Sequence, residues 1–319
     1  MKKLCMMLLV IAVLLTFTGC YDSTELGSRA LIQALAIDYD GKYHVNAMLF
    51  SSSGSGGGTI DASQENVIRV TGEGETLSEA IDNISLIDGK RIYMSETKLL
   101  ILGSGFEKAN ALDAVRTLYF DMRCSLNMPV CCVGSGERAE DIGSMHFTEG
   151  ITSADKLLSL IENGDRMGVS PKTTLLDLLA DSADGKSSLL PMLAVTKNGN
   201  GMTASDDGKT AVLGGSRYFT DGILSGSFDE TETAALMLLS ERSRKITLNY
   251  LVGDEERTCE AYGIRITEDP YSARSVMRVS AKFRTRGGGK LSEEERRAAL
   301  GALIELISAI KDQTASESG

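Results

Sequence analysis

Cys20 is the first residue in this chain whose type and position could support a defined chemistry. It follows Phe17-Thr18-Gly19, at the end of an apolar-to-neutral run from Leu4 to Thr18 that is preceded by Lys2 and Lys3. A basic start, a short apolar core and a small residue before the break are the parts of an export signal. A thiol placed directly after that small residue can be diacylated, becoming the first residue of a membrane-anchored bacterial lipoprotein. Thr18 and Gly19 fit this pattern, whereas Phe17 is bulkier than the leucine usual at its position. The run falls short of the roughly 20 residues that cross a bilayer core. Residues 1–19 therefore read as a lipoprotein signal peptide and Cys20 as the lipidation site. The alternatives are an uncleaved anchor, or a plain secretory signal with Cys20 an ordinary thiol.

The remaining reactive side chains do not form a recognisable catalytic pattern. His44 and His146 are the two histidines, and neither stands in H-E-x-x-H. His44 falls in an expected strand and His146 in an expected loop, where structural or solvated roles suffice. No G-x-S-x-G elbow occurs. Gly208-Lys209-Thr210 resembles the end of a phosphate loop, but Thr203 stands where the first glycine should be. The residues after it read as strand, whereas a phosphate cradle needs a helix N-terminus. The acid pairs Glu230/Glu232 and Glu293 to Glu295 sit in expected helix first turns, where carboxylates favour the dipole. A carboxylate-only hydrolase would leave no spacing rule to find.

Of six cysteines, Cys5 leaves with the signal. Cys124, Cys131, Cys132 and Cys259 lack C-x-x-C spacing, which argues against zinc. Vicinal Cys131 and Cys132 point to opposite faces of a strand and so do not pair with each other. They read as small buried hydrophobes, with a disulfide from Cys124 to one of them as the alternative. The expectation is thus no enzyme, no cofactor, and no catalytic or metal-binding residue.

The elements that must carry these residues follow from composition and pattern. A chain of 319 residues is long enough for two or three domains, and its 42% hydrophobic and 24% charged content is that of a folded soluble body. The net charge of −11 becomes −13 once Lys2 and Lys3 are removed. Such an acidic body repels phosphate backbones, which excludes nucleic acid as a partner, and it disfavours lying on an anionic bilayer without a covalent anchor.

Residues 30–38 and 43–50 read as a hairpin across Asp40-Gly41. Residues 51–58 (SSSGSGGG) read as a flexible connection. A strand at 67–71 leads to a capping box, Thr76-x-x-Glu79, and a helix with Leu77, Ala80, Ile81, Ile84 and Ile87 on its apolar face. Residues 92–102 read as one long strand, 108–120 as a helix and 128–133 as a strand. A helical middle (155–163 and 174–181) is punctuated by Pro171 and Pro191, and a soft stretch at 197–208 suggests a domain boundary. Beyond it come paired strands at 210–213 and 217–224, a helix at 229–239, and strands at 246–252, 258–266 and 275–284. A terminal helix opens at Ser292-x-x-Glu295 with Leu300, Leu303, Leu306, Ile307 and Ile310 as its stripe. The fold class is α+β, in several small mixed-sheet domains behind a lipidated N-terminus. The expected divisions are 1–19, 20–200 (with room for two subdomains) and 201–319.

Taken in order, several of these segments resemble the Ger(x)C family, the lipoprotein C subunits of bacterial spore germinant receptors. They are Cys20-Tyr21-Asp22, Glu25-Leu26, Ala36-Ile37-Asp38 and Asp40-Gly41-Lys42-Tyr43, then Gly72-Glu73-Gly74-Glu75-Thr76-Leu77-Ser78-Glu79-Ala80-Ile81. Gly89-Lys90-Arg91-Ile92-Tyr93, Lys98 to Gly103, Thr174-Leu175-Leu176-Asp177, Leu190-Pro191, Thr210-Ala211-Val212 and Gly222-Ile223-Leu224 follow. Tyr21 stands where tryptophan is usual, and Glu96 where a histidine often follows "Y-x-S". Family members typically continue past the terminal helix into a further strand segment, so the last domain reads as shortened. The resemblance implies a non-enzymatic subunit made of small α+β domains. It implies a tether to the outer face of the spore inner membrane, alongside a polytopic A subunit and a permease-like B subunit, in nutrient-triggered germination. It supplies no catalytic residues. The competing expectation is a free-standing solute-binding lipoprotein of a transport system, disfavoured by the lack of a regular strand–helix alternation. An exported wall hydrolase is disfavoured by the absence of any nucleophile–base pair.

Overall fold

The computed structural model describes residues 29–50, 67–88, 91–145, 153–197, 208–269 and 276–317. Strands β1 (Arg29–Tyr39) and β2 (Tyr43–Phe50) form the expected antiparallel hairpin. Gly41 turns it at φ +114°, a conformation open to glycine. β3 (Val67–Gly74) extends the sheet beyond β2. Helix α1 (Leu77–Asp88) starts where Thr76 Oγ1 accepts from the Glu79 amide at 3.2 Å, while the Glu79 carboxylate accepts from the Glu75 amide at 2.9 Å. Two donors with no partner in the helix are thereby satisfied. Leu77, Ala80, Ile81 and Ile84 are buried as the stripe requires, and the side chain of Ile87 lies outside the described set.

The expected long strand at 92–102 is two strands, β4 (Arg91–Tyr93) and β5 (Leu99–Leu102), both running parallel to β1. Leu31 pairs with Tyr93 and Ala34 with Leu99, so five intervening residues on one side match two on the other. The excess loops out in a turn in which the Thr97 amide donates to the Met94 carbonyl. After a 3-10 turn (Ser104–Glu107), α2 (Leu112–Phe120) begins four residues later than the expected start at 108. The Asn110 side chain accepts from the Leu112 amide at 2.7 Å, and the Ala111 amide donates to the Gly222 carbonyl.

β6 (Pro129–Val133) lies parallel to β5. Helices α3 (Ala139–Gly143) and α4 (Ser153–Met167), a short β7 (Thr173–Thr174) and α5 (Leu175–Ala183) lead to β8 (Ser188–Lys197), parallel to β6. β8 is absent from the sequence expectation, because Pro191 reads as punctuation. Proline is tolerated at bulges, and here the partner strand bulges at the next residue. Met192 pairs with Gly215 and Leu193 with Leu213, leaving Gly214 unmatched. The expected short strands at 210–213 and 217–224 are also corrected. Residues 209–220 form one strand, β9 (Lys209–Thr220), which turns at Asp221-Gly222 into β10 (Ile223–Phe228).

These ten strands make one sheet, in the order β10-β9-β8-β6-β5-β1-β2-β3, with β4 beside β1 and β7 beside β6. The expected division at 200/201 thus falls between β8 and β9, two neighbours in the same sheet. β1, β5, β6 and β8 form a parallel core that alternates with helices, which corrects the expectation that strand–helix alternation is lacking. Helices α1, α2 and α5 cover one face and α3 and α4 the other. With both faces covered, β5 and β6 are buried at every position.

Helix α6 (Glu230–Leu239), capped reciprocally by Asp229 and Glu232, leads to a second sheet of antiparallel strands β11 (Lys245–Val252), β12 (Glu255–Asp269) and β13 (Val276–Arg284). Helix α7 (Glu293–Glu317) closes over it, burying Ala299, Leu303 and Ile307 against Ile246, Leu248 and Tyr250. A smaller cluster of Leu189, Phe228, Leu236, Met237 and Ile310 joins α6 and α7 to the large sheet. The fold is α+β, as its composition and element pattern predict.

Candidate functional site

Cys20 and His146 lie outside the described residues. His44 sits on β2 beside the hairpin turn. Its Nε2 is 2.9 Å from Asp40 Oδ1 and its Nδ1 is 3.3 Å from Glu73 Oε1 on β3. The hydrogen bond to Asp40 raises the imidazole pKa against the opposing effect of partial burial, and Glu73 adds to the rise. Both ring nitrogens act as donors in the protonated form. His44 is thus the centre of an ion-paired turn, with Lys42 and Glu75 paired alongside at 3.0 Å.

Cys124, Cys131, Cys132 and Cys259 are free and buried. Cys131 packs on the α3–α4 side of the sheet and Cys132 on the α1–α2 side, as alternation along β6 requires. Burial pushes the Cys124 and Cys132 thiols up to about 12 and the Cys259 thiol to about 11. Thiols held this far from ionisation are poor nucleophiles. Among the described residues, no three His, Cys, Asp or Glu side chains are placed to hold a metal ion.

In sheets with a parallel core, ligands commonly sit beyond the carboxyl ends of the strands. At that end a carboxylate of the chain itself caps a helix. Asp38, near the end of β1, accepts from the Ala139 amide at 2.8 Å and the Glu140 amide at 3.0 Å, so its carboxylate occupies the N-terminus of α3. Gly103, just after β5, leaves the room this carboxylate needs, since a Cβ there would overlap it. Gly72 and Gly74 play the same part for α1, whose backbone at Ala80 lies where their side chains would be. The Ile37-Asp38, Gly72-x-Gly74 and Gly103 motifs therefore serve close packing of the sheet and its helices.

Two features escaped the sequence reading. Arg217, in β9, is almost fully buried and donates to Glu107 Oε1 at 2.7 Å and to the Gly226 carbonyl at 2.9 Å. Burial raises the Glu107 pKa, but hydrogen bonds from Arg217 and Ser135 outweigh it and hold the carboxyl below its ordinary value. The available signal was a lone arginine inside the apolar stretch of β9. The second is a cleft of about 870 Å³ between the start of β8, the β9–β10 hairpin and helices α6 and α7. Asp181, Lys186, Tyr218 and Arg242 are among its lining. Asp181 accepts from Ser188 Oγ at 2.6 Å, and Lys186 pairs with Asp184 at 2.7 Å. The cleft has the polarity to hold a small solute but no histidine or cysteine in its lining to act on one.

A family model described as the spore germination protein N-terminal domain matches residues 22–195, a little over half of the chain. Spore germination protein KC of Bacillus subtilis (strain 168) is 26% identical over 121 residues, covering 36% of this chain and 29% of that protein. The match thus spans less than a third of that relative's length. Among solved structures, the crystal structure of the GerBC protein aligns over 88% of this chain and 81% of its own, with a TM-score of 0.49 and 16% identity.

Proposed function

Because the chain belongs to the Ger(x)C family of spore germination proteins, we propose that it is the lipid-anchored C subunit of a germinant receptor. In this reading acyl chains on Cys20 hold it on the outer face of the spore inner membrane. There it works with a polytopic A subunit and a permease-like B subunit in nutrient-triggered germination. It contributes docking surfaces and no chemical step. The observation that carries the reading is the family match itself, which begins at Asp22, two residues after Cys20. Two acyl chains give stable anchoring where one is marginal. No helix among the described residues is long and apolar enough to cross a membrane, so in this reading Cys20 supplies the attachment.

The Cys20→Ala variant tests it. The protein should fold, fall in amount at the membrane and impair the response to nutrient, and unchanged retention with unchanged germination would overturn the reading. A mild-detergent pull-down from spore membranes should also recover a permease-like polytopic protein in near-stoichiometric amount. Recovery of the lipoprotein alone would favour a free-standing solute binder.

A further inference from the structure

Of the large apolar side chains that stay exposed among the described residues, several gather at one end of the large sheet. β4 runs parallel to β1 with Arg29 opposite Arg91 and Leu31 opposite Tyr93, so both strands start at the same end. Ile68, on β3, is opposite Leu49 of β2, and Leu49 is opposite Ile32 of β1. Leu86 is in the last turn of α1, which packs on β4 and ends three residues before it. Leu176 donates its amide to the Leu126 carbonyl, beside the loop that enters β6, and β6 is parallel to β1 through β5. Ile68, Leu86, Tyr93 and Leu176 are 39%, 81%, 38% and 47% exposed. Singly exposed apolar residues are ordinary on a protein surface, but here four of the eight lie toward one end of one sheet.

This is also the end where the chain enters the fold. Arg29 begins β1, nine residues after Cys20. Nine residues span at most about 30 Å fully extended, which is about the length of β1 itself at 3.3 Å per residue. An anchored Cys20 therefore holds the start of β1 within about 30 Å of the bilayer. The opposite end carries the hairpin turn, where Asp40 and Glu73 meet His44 and Glu75 meets Lys42, and none of the eight exposed large apolar side chains lies in that turn.

We propose that the β1–β4 end of the large sheet faces the lipid surface, with Leu86, Tyr93, Ile68 and Leu176 seated at the headgroup boundary. Tyrosine and leucine suit that boundary, where one side is apolar and the other wet. The large sheet then stands away from the membrane and presents the hairpin turn outward. The proposal rests on the reading of Cys20 as the anchor.

The test uses the full chain in its acylated form, purified from host membranes and reconstituted in vesicles of phosphatidylglycerol and phosphatidylethanolamine. A fluorophore is attached in turn to Leu86→Cys, Ile68→Cys and Lys42→Cys, the four native thiols of the folded body being buried. Nitroxide carried on the lipid should quench the labels at 86 and 68 several-fold more than the label at 42. Flotation is measured on the same samples. Chains that do not float refute the anchor and the orientation with it. Chains that float with equal quenching at all three positions leave the anchor standing and overturn the orientation. Protection of position 86 only when a polytopic partner is also in the vesicle overturns it as well, and reassigns these side chains to a protein contact.

Discussion

At His44, a carboxylate from the hairpin turn and one from β3 each meet a different nitrogen of one ring. Asp40, four residues back, is visible in the sequence, but Glu73 is not, because only the pairing of β2 with β3 brings it near. The pKa is raised mainly by the Asp40 hydrogen bond. The pairing therefore stabilises the fold fully below the unfolded-state pKa, and the contribution is lost as pH rises through the raised folded value. A proton NMR titration of His44 should give a midpoint above the ordinary 6.5, falling back towards it in Asp40→Asn. Arg217 offers a sharper test, since its guanidinium is buried against a carboxylate that is itself only 24% exposed. Removing one partner of a buried pair leaves an uncompensated charge and costs about 3–5 kcal/mol. Arg217→Met should lose an amount at the lower end of that range in urea denaturation. The double variant with Glu107→Gln should recover part of the loss. A single-variant cost under about 1 kcal/mol would mean that the pair contributes no more than an exposed one.

Elements with a strong local signature fall where the sequence puts them. Thr76/Glu79, Asp229/Glu232 and Ser292/Glu295 each open a helix, and Asp40-Gly41 turns the first hairpin. Elements whose existence depends on a neighbour do not. β8 carries a proline in mid-strand and is held by β6 on one side and a bulged β9 on the other. The split of β4 from β5 is set by the register of each on β1. Glycines that look like turn signals also serve as contact surfaces. A methyl group at Gly72 would meet the backbone of α1 at Ala80, where a flexible side chain cannot yield. Gly72→Ala should therefore cost about 1–3 kcal/mol, the range for overpacking, read as a lowered melting temperature. An unchanged melting temperature would show that α1 can shift outward freely.

On the scale of the whole molecule, the two sheets are coupled through a small apolar cluster. Ile310 of α7 packs with Leu189, Phe228, Leu236 and Met237, and the rings of Tyr218 and Phe228 meet edge-on at 5.1 Å. Truncating a fully buried isoleucine costs about 2–5 kcal/mol. Ile310→Ala should remove that amount and split thermal unfolding into two calorimetric transitions, one for each sheet. A single transition shifted as a whole would mean that α6 by itself keeps the units cooperative. The cleft beside this cluster also belongs to the whole molecule, because its walls come from β8, the β9–β10 hairpin and both C-terminal helices.

The sequence by itself determined the local: the helix starts, the first hairpin and the α+β class. It also pointed to the family, through short motifs whose order along the chain carries the likeness. Those features depend on residues within a few positions of each other, so they survive in a one-dimensional reading. Only the tertiary structure decided that ten strands share one sheet with a parallel core and that Asp38, near the end of β1, caps α3. It also decided that Arg217 meets Glu107 across 110 positions. Each of these arises from strand pairing or burial between distant segments, where the free energy lies in contacts that spacing along the chain does not encode.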